Sequence, residues 1–259
     1  MDCFAGSPAV SERFWSNSLK EFVSVRKVQI VTLGMTIGIL ILNKIWLLVA
    51  PSMLAADFGN MASEVKNIEI WGADIVHCDV MDGVYVPNIT FGMPMVKAFR
   101  RNTNLPIDAH LMITEPEKYV GQFCDAGADI VTFHPDASKD VQGAIDTVKS
   151  KGKKCGIVVN ADVDFDIAKP YLDQIDMLVI MTVQAGFGGQ SFKPECLEKA
   201  RLGAIEREKH GYNYLIEVDG GVGESNIMLL KDAGVDVAVA GSSVFKSPDP
   251  QRSIAALHV

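Results

Sequence analysis

From about residue 45 onward the chain alternates short apolar runs with longer stretches in which apolar positions recur every three or four residues. The short runs, IWLLVA, DIVHCDV, IDAHLM, DIVTFH, CGIVV, MLVIMTV, YLIEVD and VDVAVAG, predict eight strands buried on both faces. The stretches MASEVKNIEIWG, PEKYVGQFCDAG, DVQGAIDTVKSKG, PECLEKARLGAIEREKHG and ESNIMLLKDAG predict amphipathic helices, several closed by a glycine suited to a helix C-terminus. GADIVHCDV and GADIVTFH repeat one helix-end and strand unit, with AGVDVAVAG as a looser copy. This βα rhythm predicts the α/β class and a (β/α)8 TIM barrel. An open doubly wound sheet is the rival, but no GxGxxG opens a first crossover.

The N-terminal region breaks the rhythm. From Val28 to Ala50 the run VQIVTLGMTIGILILNKIWLLVA is long enough to span a bilayer, yet Asn43 and Lys44 interrupt it. One reading makes residues 28–50 a membrane contact or targeting segment, with Arg13, Lys20, Arg26 and Lys27 upstream. The preferred reading divides the run at Asn43–Lys44, leaving residues 1–43 as an N-terminal extension and residues 44–259 as the barrel domain. No Pro/Gly/Ser-rich linker or charge block divides the chain further. The net charge of −8 argues against broad nucleic-acid binding but leaves room for a local anion pocket, so a small ligand is expected. Cys3, Cys78, Cys124, Cys155 and Cys196 show no paired metal spacing and read as reduced packing thiols, which suits the cytoplasm.

In a barrel of this kind functional groups gather at the C-terminal strand ends. His77 and Asp79 share one side of the second strand by its period of two; Asp108 and His110 share one side of the third, and Asp219 ends the seventh. Singly, each reads as a hydrogen-bonded core residue or a helix cap. Together His77, Asp79, His110 and Asp219 offer two nitrogen and two oxygen ligands, a set suited to zinc or another divalent first-row ion. Two carboxylates beside a Lewis acid suggest proton chemistry next to a carbonyl, and their separated strands suggest delivery from opposite faces.

QAGFGGQSF, DGGVG and AGSS follow the sixth, seventh and eighth strands. Gly186, Gly188, Gly189, Gly220, Gly221, Gly241 and Ser242 are candidates for presenting backbone N–H groups to a phosphate, though glycine also serves ordinary turns. Met53, Met81, Met112 and Met181 lie at or just beyond strand ends, where they read either as a water-excluding wall or as core filling. Ser52 reads as a donor to a substrate oxygen or as a turn cap.

The segments APSMLAADF, HCDVMDGVYVPNITFG, DAHLM, MTVQAGFGGQSF, EVDGGV and AGSSVF, in this order, resemble ribulose-phosphate 3-epimerase, over about Ile45 to the C-terminus. The resemblance implies a (β/α)8 barrel that interconverts D-ribulose 5-phosphate and D-xylulose 5-phosphate in the pentose phosphate pathway with one divalent metal, zinc foremost, with iron, manganese or cobalt as alternatives. It implies a homo-oligomer, often a dimer or hexamer. It assigns His77, Asp79, His110 and Asp219 as metal ligands and Asp79 and Asp219 as the acid/base pair. Ser52, His77, His110, Met53, Met81 and Met181 fall on substrate-pocket positions. Gly186, Phe187, Gly188, Gly189, Gly220, Gly221, Gly241 and Ser242 fall on its substrate and phosphate loops. Three departures stand out: Ala185 where relatives have proline, which is expected to loosen the loop while sparing activity; the extension; and an end at SIAALHV, expected to shorten the last helix. An epimerase of a ketohexose phosphate such as allulose 6-phosphate and a non-catalytic phosphosugar binder are the alternative functions.

Overall fold

The computed structural model describes residues 46–259. Residues 47–259 form one compact unit. Its eight strands are β1 (Leu48–Pro51), β2 (Val76–Met81), β3 (Ile107–Met112), β4 (Ile130–Phe133), β5 (Lys154–Val159), β6 (Met177–Met181), β7 (Leu215–Asp219) and β8 (Val237–Ala240). All adjacent pairs are parallel in the order β1-β8-β7-β6-β5-β4-β3-β2. The β1–β2 seam is closed by a parallel bridge between Ser52 and His77 and by Asp74 N–H donating to the Val49 carbonyl at 3.0 Å. The result is the expected barrel.

The period of two explains why polar residues can sit in strands buried on both faces. On β2, Val76, Cys78 and Val80 join the apolar layer under the helices, while His77, Asp79 and Met81 take the alternate, inner side. β3 repeats this with Ile107, Ala109 and Leu111 outside and Asp108, His110 and Met112 inside; β7 puts Ile216 and Val218 outside and Glu217 and Asp219 inside. Register then stacks the inner residues, with Asp79 beside His110 and Asp219 beside Met181.

The helices are α1 (Met61–Ile70), α2 (Met93–Arg100), α3 (Val120–Ala126), α4 (Val141–Ser150), α5 (Leu197–His210), α6 (Ile227–Asp232), α7 (Ser242–Phe245) and α8 (Pro250–Leu257). Their apolar stripes face the sheet, as with Met61, Val65 and Ile68 of α1. Gly127 and Gly211 close α3 and α5 at φ 111° and 68°, the left-handed conformation that a side chain would strain. Two features depart from the pattern reading. Helix α2 follows the turn-rich VPNITFG, and its eight residues begin with proline in the first turn, so its period is too short to stand out. The β5–β6 crossover has only 3₁₀ turns at Phe165–Ile167 and Lys169–Tyr171, where Asp164 caps and Pro170 interrupts. The last helix is short, as expected, yet it buries Ser253, Ile254 and Leu257.

The repeated GAD unit has a structural cause. An aspartate precedes each even strand and accepts a backbone N–H at the start of the preceding odd one. Asp74 accepts from Val49 at 3.0 Å, Asp129 from Ile107 at 3.1 Å, Asp176 from Cys155 at 3.1 Å and Asp236 from Ile216 at 2.9 Å. His258, Arg100, Lys154 and Arg207 respectively provide a cation or polar partner for each carboxylate. Four of the cysteines, Cys78, Cys124, Cys155 and Cys196, are buried free thiols. No helix among the described residues is long and apolar enough to cross a membrane. Residues 28–45 of the apolar run, Cys3 and the extension at 1–43 lie outside the described residues.

Candidate active site

His77 and His110 are fully buried, and Asp79 nearly so, at the C-terminal end of the barrel interior. His77 Nε2 lies 3.4 Å from Asp79 Oδ1 and 3.7 Å from Asp219 Oδ2. His110 Nδ1 lies 3.5 Å from each of the same two oxygens. Four ligand-capable atoms from β2, β3 and β7 therefore surround one point. Their separations match the edge of a tetrahedron of roughly 3.4 Å expected around an ion bound at about 2.1 Å. His77 Nε2 and His110 Nδ1 have no hydrogen-bond partner among the described residues, although both are buried. Two bare imidazole nitrogens facing two carboxylate oxygens fit a divalent cation, and all four groups lie within reach of one.

The surroundings hold these groups in place. Asp108 Oδ2 lies 2.8 Å from His77 Nδ1, and Glu217 Oε1 lies 3.5 Å from the same nitrogen. Ser52 Oγ donates to Asp79 Oδ2 at 2.6 Å and also accepts from Leu54 N–H at 3.3 Å, so the cap and the site contact coexist. Burial works to lower the His77 imidazole, but the Asp79 and Asp108 carboxylates outweigh it and raise it well above its usual range. His110 is also raised, burial being overcome by Asp219 and Asp79. Burial would raise the Asp79 carboxyl, but His77 and then His110 hold it far below the ordinary carboxylate range. Glu217 goes the other way: burial and then Asp108 push it well up, which favours the neutral acid.

Above the cluster opens a cavity of about 520 Å³, with Asp79 and Asp219 among its lining residues and Met81, Met112 and Met181 as apolar walls. The size suits a small metabolite. His77 and His110 lie beneath the cavity and are not among its lining residues. Met53 also stands apart: its side chain is part of the hydrophobic core, because the 3₁₀ turn Met53–Ala55 tucks it inward. Gly186, Phe187, Gly188 and Gly189 line one side, and Phe187 is half exposed. Gly220 and Gly221 line the next, where a Cβ on Gly221 would come within 2.7 Å of the Phe192 nitrogen; only glycine lets the two loops approach so closely. Gly241 and Ser242 complete the rim.

Several residues here carried no signal in the pattern reading. Gln190 Nε2 donates to the Gln184 and Phe187 carbonyls at 2.6 and 2.7 Å, and Asn88 Nδ2 donates to the Gly186 carbonyl at 3.0 Å. Together they brace the glycine loop that lacks the proline, around a buried Ala185. Lys246 is the one cation among the residues that line the cavity. Glu217 was legible in principle, since it lies two residues before Asp219 on the same side of β7.

The profile of the Ribulose-phosphate 3 epimerase family matches residues 48–245. The chain is 42% identical over 207 residues to the ribulose-phosphate 3-epimerase of Bacillus subtilis, spanning 80% of this chain and 95% of that protein. It is 44% identical over 211 residues to the ribulose-phosphate 3-epimerase of Synechocystis sp., spanning 81% and 92% of the two. Among solved structures it resembles the 3-keto-L-gulonate-6-phosphate decarboxylase of Vibrio cholerae, with a TM-score of 0.64 at 17% identity over 82% of this chain and 95% of that one. That last likeness is one of fold alone.

Proposed function

The chain belongs to the ribulose-phosphate 3-epimerase family, and from that premise we propose that residues 44–259 invert C3 of a phosphorylated ketopentose, converting D-ribulose 5-phosphate to D-xylulose 5-phosphate. The observation that carries this reading is the convergence of His77, Asp79, His110 and Asp219 at the floor of one small-molecule cavity. These four would hold a divalent ion, zinc foremost and iron, manganese or cobalt as alternatives, because two nitrogens and two carboxylate oxygens accept several such ions. When bound, the ion would supply Lewis-acid stabilisation of the negative charge that develops on the sugar oxygens.

The chain's own residues perform the proton transfers. Asp79 is held ionised by His77 and His110, so it carries no proton of its own when the sugar binds. Its Oδ1 faces the histidines, which leaves Oδ2, oriented by the Ser52 hydroxyl, as the basic atom. Asp219 stands on β7, on the other side of the cluster from β2 and β3. Removal of the C3 proton by one aspartate and return of a proton by the other to the opposite face inverts the carbon. The three methionines exclude water around the sugar backbone. The phosphate is assigned to the opposite end of the cavity, among the turns of Gly186–Gly189, Gly220–Gly221 and Gly241–Ser242, where Lys246 supplies the positive charge. We further assign a homo-oligomer, in its simplest form a dimer, which sedimentation velocity of the full chain tests.

The direct test follows D-ribulose 5-phosphate by NMR in heavy water, with and without a chelator. The expected result is xylulose 5-phosphate carrying deuterium at C3, formed only with the ion present. Folded, ion-loaded protein that leaves C3 unexchanged would overturn the assignment.

A further inference from the structure

One buried histidine has no part in the chemistry above. His134 directly follows β4, where Pro135 starts a 3₁₀ turn, and it is fully buried. By register Thr132 pairs with His110, and His134, two residues on, keeps the same side of the strand one step higher. Its Nε2 lies 2.9 Å from His110 Nε2, with the rings stacked at 5.1 Å and inclined by 27°. The Tyr85 ring packs against it at 5.0 Å, inclined by 47°, and the Tyr85 hydroxyl is itself held by Asp136 and Asn160. His134 Nδ1 has no hydrogen-bond partner among the described residues. Its contact with His110 is therefore the one that decides where its proton sits.

A nitrogen–nitrogen contact of this length holds a single proton, because two N–H groups would collide and two lone pairs would repel. His110 turns its other nitrogen, Nδ1, toward Asp79 and Asp219. A histidine that gives Nδ1 to an ion must carry its proton on Nε2 and needs an acceptor there. We propose that His134 is that acceptor: it is a positioning residue that takes the His110 Nε2–H on its own Nε2, carries its proton on Nδ1, and so holds His110 with Nδ1 bare toward the cation. The role is unusual in chemical type, since a neutral imidazole stands where a carboxylate or carbonyl commonly accepts this bond. It complements Asp108, which faces the Nδ1 of the other histidine. A neutral acceptor orients His110 without adding a further negative charge to a pocket already rich in carboxylates.

The inference rests on the reading that His110 is an ion ligand, and its test uses zinc alone, with no sugar. In metal-stripped protein, competition with a chromophoric chelator should show zinc affinity weakened about 10- to 100-fold in His134→Phe, which keeps a flat ring but has no acceptor. His134→Gln, whose amide oxygen reaches close to the Nε2 position, should recover most of that loss. Equal losses in both variants, or none in either, would overturn the proposal. His77→Ala separates the premise from the inference: it should also lose zinc, and unchanged zinc binding there would reject the ligand set itself and this inference with it. If the variants do not fold, the wild type still decides. Two-bond ¹⁵N–¹H couplings in zinc-loaded protein should place the protons on His110 Nε2 and His134 Nδ1; a proton on His134 Nε2 rules the proposal out.

Discussion

At the scale of single residues, strand parity made most of the centre legible. His77, Asp79, His110 and Asp219 could be placed together because β-strand side chains alternate, and the same rule extends to Asp108 and Glu217. Lys246 and Gln190 lie beyond strand ends, where no period operates, so only tertiary structure reveals them. Three changes test the assignments. Asp219→Asn keeps the shape but removes the carboxylate proposed to carry the proton, so turnover should fall by about 10²- to 10⁴-fold with little change in the melting temperature of the ion-free protein; near-normal turnover would reject the role. Lys246→Met should raise KM for the phosphosugar several-fold, flatten its dependence on salt and leave kcat nearly intact. An unchanged KM would place the phosphate elsewhere. Glu217→Gln tests the neutral acid. A carboxyl raised by folding contributes stability that is fully present below its unfolded value of roughly 4.3 and is lost progressively as pH rises through its folded value. Ion-free Glu217→Gln should then match the wild type near the bottom of that window and exceed its stability at neutral pH. Denaturant titrations showing the variant weaker at neutral pH would mean that an ionised Glu217 is held in the fold.

At the scale of elements, strands were more legible than helices, for a physical reason. Each strand is buried on both faces and so is apolar at most of its positions, whereas α2 has eight residues and only Val96 and Phe99 buried. The β5–β6 crossover was hidden differently: Asp164 and Pro170 break it into 3₁₀ turns, so no helical period exists to find. The GAD repeat was visible as a pattern, but its meaning was not, because the backbone groups that the aspartates accept belong to distant odd strands. Asp129 shows what such a residue is worth. It accepts from Ile107 N–H at 3.1 Å and meets Arg100 at 2.7 Å and Lys153 at 3.0 Å. Asp129→Ala leaves a strand N–H and a partly buried guanidinium without that carboxylate, a loss of about 1–3 kcal/mol. For a unit of this size that lowers the melting temperature by roughly 2–4 °C per kcal/mol. The aspartate lies at the opposite strand ends from the cavity, so kcat at low temperature should not change; a drop in kcat without a drop in stability would show that the two ends of the barrel are coupled.

At the scale of the whole molecule, the cluster also bears on how the barrel closes. The sheet order runs continuously from β1 through β8 to β2, and the β1–β2 seam has one isolated bridge where the other neighbours have ladders. The candidate ligands come from β2 and β3 on one side of that seam and from β7 on the other. An ion held among them would link strands that backbone hydrogen bonds join only the long way round, or across the weakest junction. Because an ion that binds only the folded barrel stabilises it by mass action, about 2.7 kcal/mol is expected when free zinc is a hundredfold above its Kd. At roughly 2–4 °C per kcal/mol, chelation should lower the melting temperature by roughly 5–10 °C, reversibly on adding zinc back. His77→Ala should melt at one temperature with or without the ion. If that variant kept the full zinc-dependent shift, the stabilising ion would have to bind outside the strand-end cluster, and the seam would owe its closure to the Ser52–His77 bridge and the Asp74 contacts alone.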